Sequence, residues 1–201
     1  MTRHDPALPP ADPDAAAAAA ARFAARFGEQ ADVGYAELDS PVGPLVVAGT
    51  RRGLARVAYA DFEGGVDSIL EQLAQALSPR ILEDRARLAP VARELDEYFG
   101  GRRTAFDVPL DWGLTKGFGR RILQATADIP FGATSTYRGV AAGAGNERAV
   151  RAAGNALGAN PLPIVVPCHR VLRTGGGLGG YTGGVQRKLR LLALEGVLLT
   201  D

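Results

Sequence analysis

The chain has 201 residues, 46% of them hydrophobic, enough for one sizeable domain or two small ones with an ordinary core. Its longest apolar run, residues 15–21, is pure alanine between Asp14 and Arg22, too short and too weakly hydrophobic to span a bilayer, so no membrane association is expected. A single cysteine excludes an intramolecular disulfide, and with only two histidines beside it no tetrahedral Cys/His zinc site can be assembled, so neither a metal nor any other cofactor is expected.

The start of the chain carries Pro6, Pro9, Pro10, Asp12 and Asp14 where a secretory signal needs a basic head and a leucine-rich middle, which predicts a cytoplasmic protein. The net charge of +1 divides unevenly. Residues 1–112 hold 12 Lys and Arg against 18 Asp and Glu, and residues 113–201 hold 11 against 4. The second half, at +7, also contains the cysteine and suits a polyanionic partner, although a solvated basic face reads the same way at this point.

Taken in chain order, Asp14 stands where it can cap a helix over 15–27, with Phe23 and Phe27 on one face and Gly28 as the stop. Residues 1–32 read as an Ala/Pro-rich extension without chemistry. Alternating, β-branched stretches at 35–38, 45–48 and 54–60, separated by Ser40–Pro44 and Gly49–Gly53, predict three antiparallel strands. Helices follow over 66–77 and 88–99, the second with Leu88, Val91, Leu95 and Phe99 as its apolar stripe and Gly100-Gly101 after it. Residues 33–112 thus read as an α/β domain with no polar cluster suggesting catalysis.

Residues 113–201 read as a mainly helical domain, with short helices at 118–127, 137–142, 147–157 and 185–194. Asn146 is expected to cap the helix starting at Glu147, and the turn before it makes a helix-turn-helix. That second helix carries Arg148 and Arg151 at i, i+3 beside Ala149, Ala152, Ala153 and Ala156. The alanines leave a flat cationic surface that fits a groove, or else serve tight helix packing.

The segment Asn160-Pro161-Leu162-Pro163-Ile164-Val165-Val166-Pro167-Cys168-His169-Arg170-Val171 is the part that carries chemistry. Pro161 and Pro163 fix φ and remove donors, predicting a rigid, extended connector to Cys168. A thiol becomes strongly nucleophilic as thiolate, which an imidazole or a cation favours, and His169 and Arg170 are adjacent in sequence. A buried, inert thiol is the other reading. The glycine-rich loop 175–184 lacks both the strand-to-helix dinucleotide pattern and a following Lys-Ser/Thr, so it is not read as a nucleotide cradle.

Pro167-Cys168-His169-Arg170-Val171, with Asn160-Pro161 before it and the glycine-rich loop after it, resembles the O6-alkylguanine-DNA alkyltransferases, the methylated-DNA-protein-cysteine methyltransferases. The likeness runs from Asp39–Pro44 through Phe131-Gly132 and Tyr137 to Tyr181–Gly184 and Glu195-Gly196. It implies a ribonuclease-H-like α/β domain followed by a helical domain whose helix-turn-helix binds double-stranded DNA through the minor groove, as a monomer. The implied activity is irreversible transfer of an alkyl group from O6-alkylguanine, and from O4-alkylthymine, to Cys168, with the target base rotated out of the duplex.

The resemblance also implies roles for individual residues. His169 and Glu195 would draw off the thiol proton through a water, and Tyr137 would donate to N3 of the leaving guanine. Arg151 would fill the vacated stack, with Arg148, Ala152 and Arg170 as further DNA contacts. Asn160, Pro163, Val171, Gly179, Tyr181, Thr182 and Gly183 would form the pocket, in which the Thr182 amide faces O6 and the carbonyls of Cys168 and Val171 accept the exocyclic amine.

The chain departs from the family pattern in Phe118-Gly119 and Ile122-Leu123, where relatives carry Phe-Gln and Val-Trp, so packing beneath the site is expected to differ. Three rivals are less economical. A lesion-binding protein without transfer activity would lack the cysteine, a helix-turn-helix regulator leaves Pro167–Arg170 without purpose, and a turnover Cys/His hydrolase has no evident oxyanion site.

Overall fold

The computed structural model describes residues 31–197 together with Ala18, Ala19 and Arg22, which are helical. The rest of the expected 15–27 helix, including Asp14, Phe23 and Phe27, lies outside the described residues. Strands β1 (Val33–Leu38), β2 (Leu45–Thr50) and β3 (Gly53–Tyr59) form the expected antiparallel meander. A further strand, β4 (Ile81–Glu83), pairs in parallel with β1, giving the order β3-β2-β1-β4. At three residues β4 is too short for alternation to show in sequence.

The central strand β2 is buried on both faces, which is why it reads as an unbroken apolar run. Val46 and Ala48 pack with Ile69 and Leu73 of α1 (Val66–Ala76) on one side. Leu45 and Val47 pack with Leu88, Val91 and Leu95 of α2 (Arg85–Phe99) on the other. Helix α2 starts three residues before the expected Leu88, because Asp84 caps it by accepting from the Arg87 amide at 3.0 Å.

The exposed edge of β3 is closed by two later segments. Leu54 N donates to Pro109 O at 2.8 Å, and Val57 N donates to Pro161 O at 2.9 Å. The second bond lays the cysteine-bearing segment against the sheet.

The C-terminal part contains α3 (Gly117–Ala127), β5 (Ser135–Thr136), α4 (Tyr137–Gly143), α5 (Val150–Gly158), a 3-10 turn (Cys168–Arg170), β6 (Val171–Leu172) and α6 (Val185–Leu194). The parallel pairing of β5 with β6 brings the start of α4 beside the strand that follows the cysteine turn. A single apolar cluster runs from β2, β3 and α2 through α3, α4 and α5 to Cys168. Among the described residues no helix is long and apolar enough to cross a membrane.

Helix α5 starts at Val150, not at 147. Gly145 takes a φ of 92°, and the Asn146 side chain accepts from the Arg148 amide at 3.2 Å, so Asn146 shapes a turn and does not cap the helix. Arg148 therefore precedes α5 and does not share a helical face with Arg151.

The departures in α3 concern its packing. Ile122 and Leu123 are buried in the shared cluster, and a Cβ added at Gly119 meets only the Ala156 Cβ of α5, at 3.8 Å. That is ordinary van der Waals contact, and glycine carries an entropic cost within a helix. Gly119→Ala should therefore raise stability by about 0.5–1 kcal/mol, read as a higher urea midpoint at unchanged slope.

Candidate active site

The segment before Cys168 is rigid, but it is not extended. Residues 161–166 fold into turns, with Val166 N donating to Leu162 O at 2.7 Å. Ile164, fully buried, has a φ of 75° and is the one non-glycine residue with positive φ among the described residues. For a β-branched side chain this costs about 1–3 kcal/mol and persists only where the surroundings enforce it.

Asn160 does much of that enforcing. Its Oδ1 accepts from Leu162 N at 3.0 Å, and its Nδ2 donates to Val166 O at 2.9 Å and to Cys168 Sγ at 3.1 Å. Rigidity comes from a side chain that bridges both ends of the turn, with the prolines secondary.

Cys168 is buried, and burial pushes its thiol up to about 11, against the opposing hydrogen bond from Asn160 and the charge of Lys188. The resting side chain is therefore a thiol that needs a base. His169, next in the turn, is fully buried and places Nε2 2.9 Å from Glu195 Oε1. Burial raises the proton affinity of the Glu195 carboxyl, but hydrogen bonds from His169, Arg170 and Tyr98 outweigh it and hold the group at about 2.

Glu195 is thus a carboxylate that can only accept, so Nε2 of His169 bears the hydrogen and Nδ1 is the basic nitrogen. That Nδ1 is buried without a hydrogen-bond partner in the protein. Burial keeps the imidazole below its ordinary pKa, which leaves it neutral and able to take a proton.

Around Cys168 lies a cavity of about 390 Å3, walled by Phe62, Tyr137, Leu157, Gly158, Tyr181 and Thr182. Three contacts set its shape. The Tyr181 and Tyr59 hydroxyls lie 2.8 Å apart, Thr182 Oγ1 donates to Gly158 O at 2.8 Å, and Gly179 approaches Tyr137 so closely that a Cβ there would lie 2.6 Å from its hydroxyl. Gly183 is likewise required, since a Cβ would lie 2.5 Å from the Tyr59 ring. The glycines of this loop let two tyrosine rings come up against the backbone.

Of the residues expected at the site, Cys168, Tyr137, Tyr181 and Thr182 line the cavity, His169 and Glu195 form the pair behind it, and Asn160 ties the turn together. Pro163 is buried within that turn and is not among the residues that wall the cavity. Arg151 and Ala152 are exposed on the first turn of α5, and Arg148 is exposed in the turn before.

One expected contact needs correction. Arg170, expected to contact DNA, is 5% exposed, with Nε and Nη2 on Glu195 at 2.8 Å each and Nη1 on Ile129 O at 2.5 Å. Its charge balances Glu195 and is not available to a phosphate. The Val171 carbonyl, expected to accept the exocyclic amine, accepts from Lys188 Nζ at 2.6 Å and keeps a second lone pair for a further donor.

Lys188 was not singled out by the sequence reading. Fully buried, it also donates to Leu178 O, so one ammonium joins the strand after the cysteine turn to the glycine-rich loop. Burial lowers its pKa to about 8. The signal was its position, because 188, 191, 192 and 195 fall on one helical stripe whose other members are Leu191, Leu192 and Glu195.

Residues 33–112 match the family described as "6-O-methylguanine DNA methyltransferase, ribonuclease-like domain", and residues 117–197 match its "DNA binding domain". A methylated-DNA–protein-cysteine methyltransferase of Mycobacterium leprae is 40% identical over 161 residues, covering 79% of this chain and 89% of that protein. The inducible methylated-DNA–protein-cysteine methyltransferase of Bacillus subtilis is 38% identical over 74% of this chain and 82% of that protein. Among solved structures, the Mycobacterium tuberculosis OGT in complex with DNA superposes with a TM-score of 0.69 at 36% identity, covering 81% of this chain and 93% of that one.

Proposed function

The chain belongs to the 6-O-methylguanine DNA methyltransferase family, and from that membership we propose that Cys168 is the residue that receives the alkyl group. The protein is a DNA-binding transferase that repairs DNA by moving alkyl groups from the damaged strand to a protein cysteine. The observation that carries the assignment is the placement of the chain's one thiol in a walled cavity beside a buried His169–Glu195 pair with a free basic nitrogen.

In the proposed reaction the thiol proton passes through a water to Nδ1 of His169, and Glu195 stabilises the imidazolium that results. The thiolate attacks the alkyl carbon of O6-alkylguanine in line. The S–C bond forms as the C–O6 bond breaks, and the electron pair stays on guanine. The hydroxyl of Tyr137 donates to N3 of that leaving base and regains its proton from solvent. O4-alkylthymine presents the same kind of C–O bond and is a second substrate on this reading.

An alkyl carbon inside stacked, paired DNA is closed to in-line attack, so the base must be extruded into the cavity, at least cost when a lesion already weakens its pair. Arg151, exposed on α5, fills the gap while that helix lies in the minor groove of DNA bound by a monomer. Residues 113–201 would be the DNA-binding unit and residues 33–112 the supporting one. The thioether is a poor leaving group and no second cysteine exists to resolve it, so each chain acts once. A required free thiol fits the reducing cytoplasm.

The test is mass spectrometry of the protein after mixing with duplex DNA containing O6-methylguanine. The expected result is a gain of one methyl group confined to the peptide with Cys168, and an unmodified Cys168 beside an intact lesion would overturn the assignment.

A further inference from the structure

We propose that Tyr98, supplied by the N-terminal α/β domain, is a positioning residue of the transfer reaction that acts through Glu195 to keep His169 neutral. The inference rests on the assignment of Cys168, His169 and Glu195 above. Its basis is one oxygen. Glu195 Oε1 accepts from Tyr98 Oη at 2.7 Å, from His169 Nε2 at 2.9 Å and from Arg170 Nη2 at 2.8 Å, while Oε2 accepts from Arg170 Nε at 2.8 Å and from Gly132 N at 3.4 Å.

The Tyr98 ring is fully buried and held edge-on or tilted by Phe99 and Phe106, both at 5.3 Å, and by Phe131 at 6.1 Å. Those rings fix its orientation, so the hydroxyl has little choice of partner. Burial together with the negative charge of Glu195 also holds the phenol far above its ordinary range, so it is a donor at every working pH.

Donors sharing a single carboxylate oxygen each weaken its hold on the others, because each draws on the same negative charge. Arg170 is permanently charged and would be present in any variant. The Tyr98 hydroxyl is neutral and removable. Without it Glu195 concentrates its charge on His169, the imidazolium becomes more stable, and the imidazole picks up its proton at higher pH. A protonated His169 cannot accept the proton of Cys168, so the wild-type hydroxyl extends the pH range over which the base is available.

The other ionisable groups that reach this pair are Tyr181, whose ring lies 6.4 Å from that of His169, together with Lys188 and Arg170, whose charges also disfavour the imidazolium. All three remain in place when only the Tyr98 hydroxyl is removed.

The experiment is the pH dependence of single-turnover methyl transfer from O6-methylguanine duplex to the full chain, for wild type, for Tyr98→Phe, and for the protein with a fluorinated tyrosine introduced at position 98. Tyr98→Phe keeps the ring and deletes the donor. Its acid limb should move up by about one pH unit, a loss of about tenfold in rate on that limb, with the alkaline plateau unchanged.

The fluorinated ring, a stronger donor of nearly the same shape, should move the limb the other way, and it keeps the test open if Tyr98→Phe fails to fold. A limb that stays put in both proteins, or a rate that falls equally at all pH values, would make Tyr98 a packing residue and overturn the proposal. If wild type itself leaves Cys168 unmethylated, the underlying assignment fails first and the role of Tyr98 falls with it.

Discussion

Cys168→Ala should abolish alkyl transfer completely while leaving binding to lesion-containing duplex intact. No other thiol exists in the chain, and the remaining hydroxyls around the cavity are poor substitutes. Burial raises the pKa of Tyr181 well above its ordinary value, with its hydroxyl shared with Tyr59, and Thr182 Oγ1 is donated to Gly158 O. The structural cost is small, about 1 kcal/mol, because Asn160 Nδ2 keeps Val166 O as an acceptor when Sγ is gone.

The fold should therefore persist and the chemistry vanish. Incubation with O6-methylguanine duplex, followed by assay of restored guanine and of the protein–DNA complex on a gel, separates the two. Guanine restored at the wild-type rate would place the nucleophile elsewhere. In the same assay wild type should plateau at one methyl per chain however long the reaction runs, since nothing in the cavity can displace the thioether.

The sequence carried the site wherever its residues are close in the chain or belong to a regular pattern. Cys168 and His169 are neighbours, the strands β1 to β3 show as apolar and β-branched stretches between turns, and the helical stretches show their stripes. What it withheld depends on partners far along the chain. Three consecutive residues of a 3-10 turn cannot share one face, and whether Arg170 meets solvent or the interior is decided by Glu195, 25 residues later. Proximity to Cys168 suggested a cation that favours the thiolate and the family resemblance a DNA contact, but Glu195 holds the guanidinium in the interior.

Tyr98 was hidden for the same reason at a greater distance, since its partner is 97 residues away and its own helix reads as a plain apolar stripe. The expected stripe of α2 ended at Phe99, whereas the fully buried residue is Tyr98, whose hydroxyl only makes sense once Glu195 is beside it. The extended connector failed through a local effect that composition does not reveal. Asn160 reaches back over its own turn, and Ile164 is held at positive φ by that closure.

Glu195→Ala is expected to be the most destabilising of these substitutions, at about 3–5 kcal/mol, because it strips a buried charge network of its only anion. Arg170 would be left 5% exposed with Ile129 O as its remaining acceptor, and both Tyr98 Oη and His169 Nε2 would lose their partner in the interior.

The same carboxylate sets the acid side of the stability profile. Its folded pKa lies at about 2 against an ordinary 4.5, a depressed value, so its contribution is fully present above the ordinary pKa and drains away as pH falls from 4.5 toward 2. That window is worth about 3 kcal/mol by linkage, in keeping with the cost of deleting the group. Guanidinium unfolding should show wild type losing stability steeply through it, while Glu195→Ala starts lower at neutral pH and follows a flatter course. A variant within about 1 kcal/mol of wild type at neutral pH, or one that keeps the acid slope, would mean that the network does not stabilise the fold. Because Arg170, His169 and Tyr98 all converge on this side chain, the loss should appear in the stability of the resting protein as well as in the transfer rate.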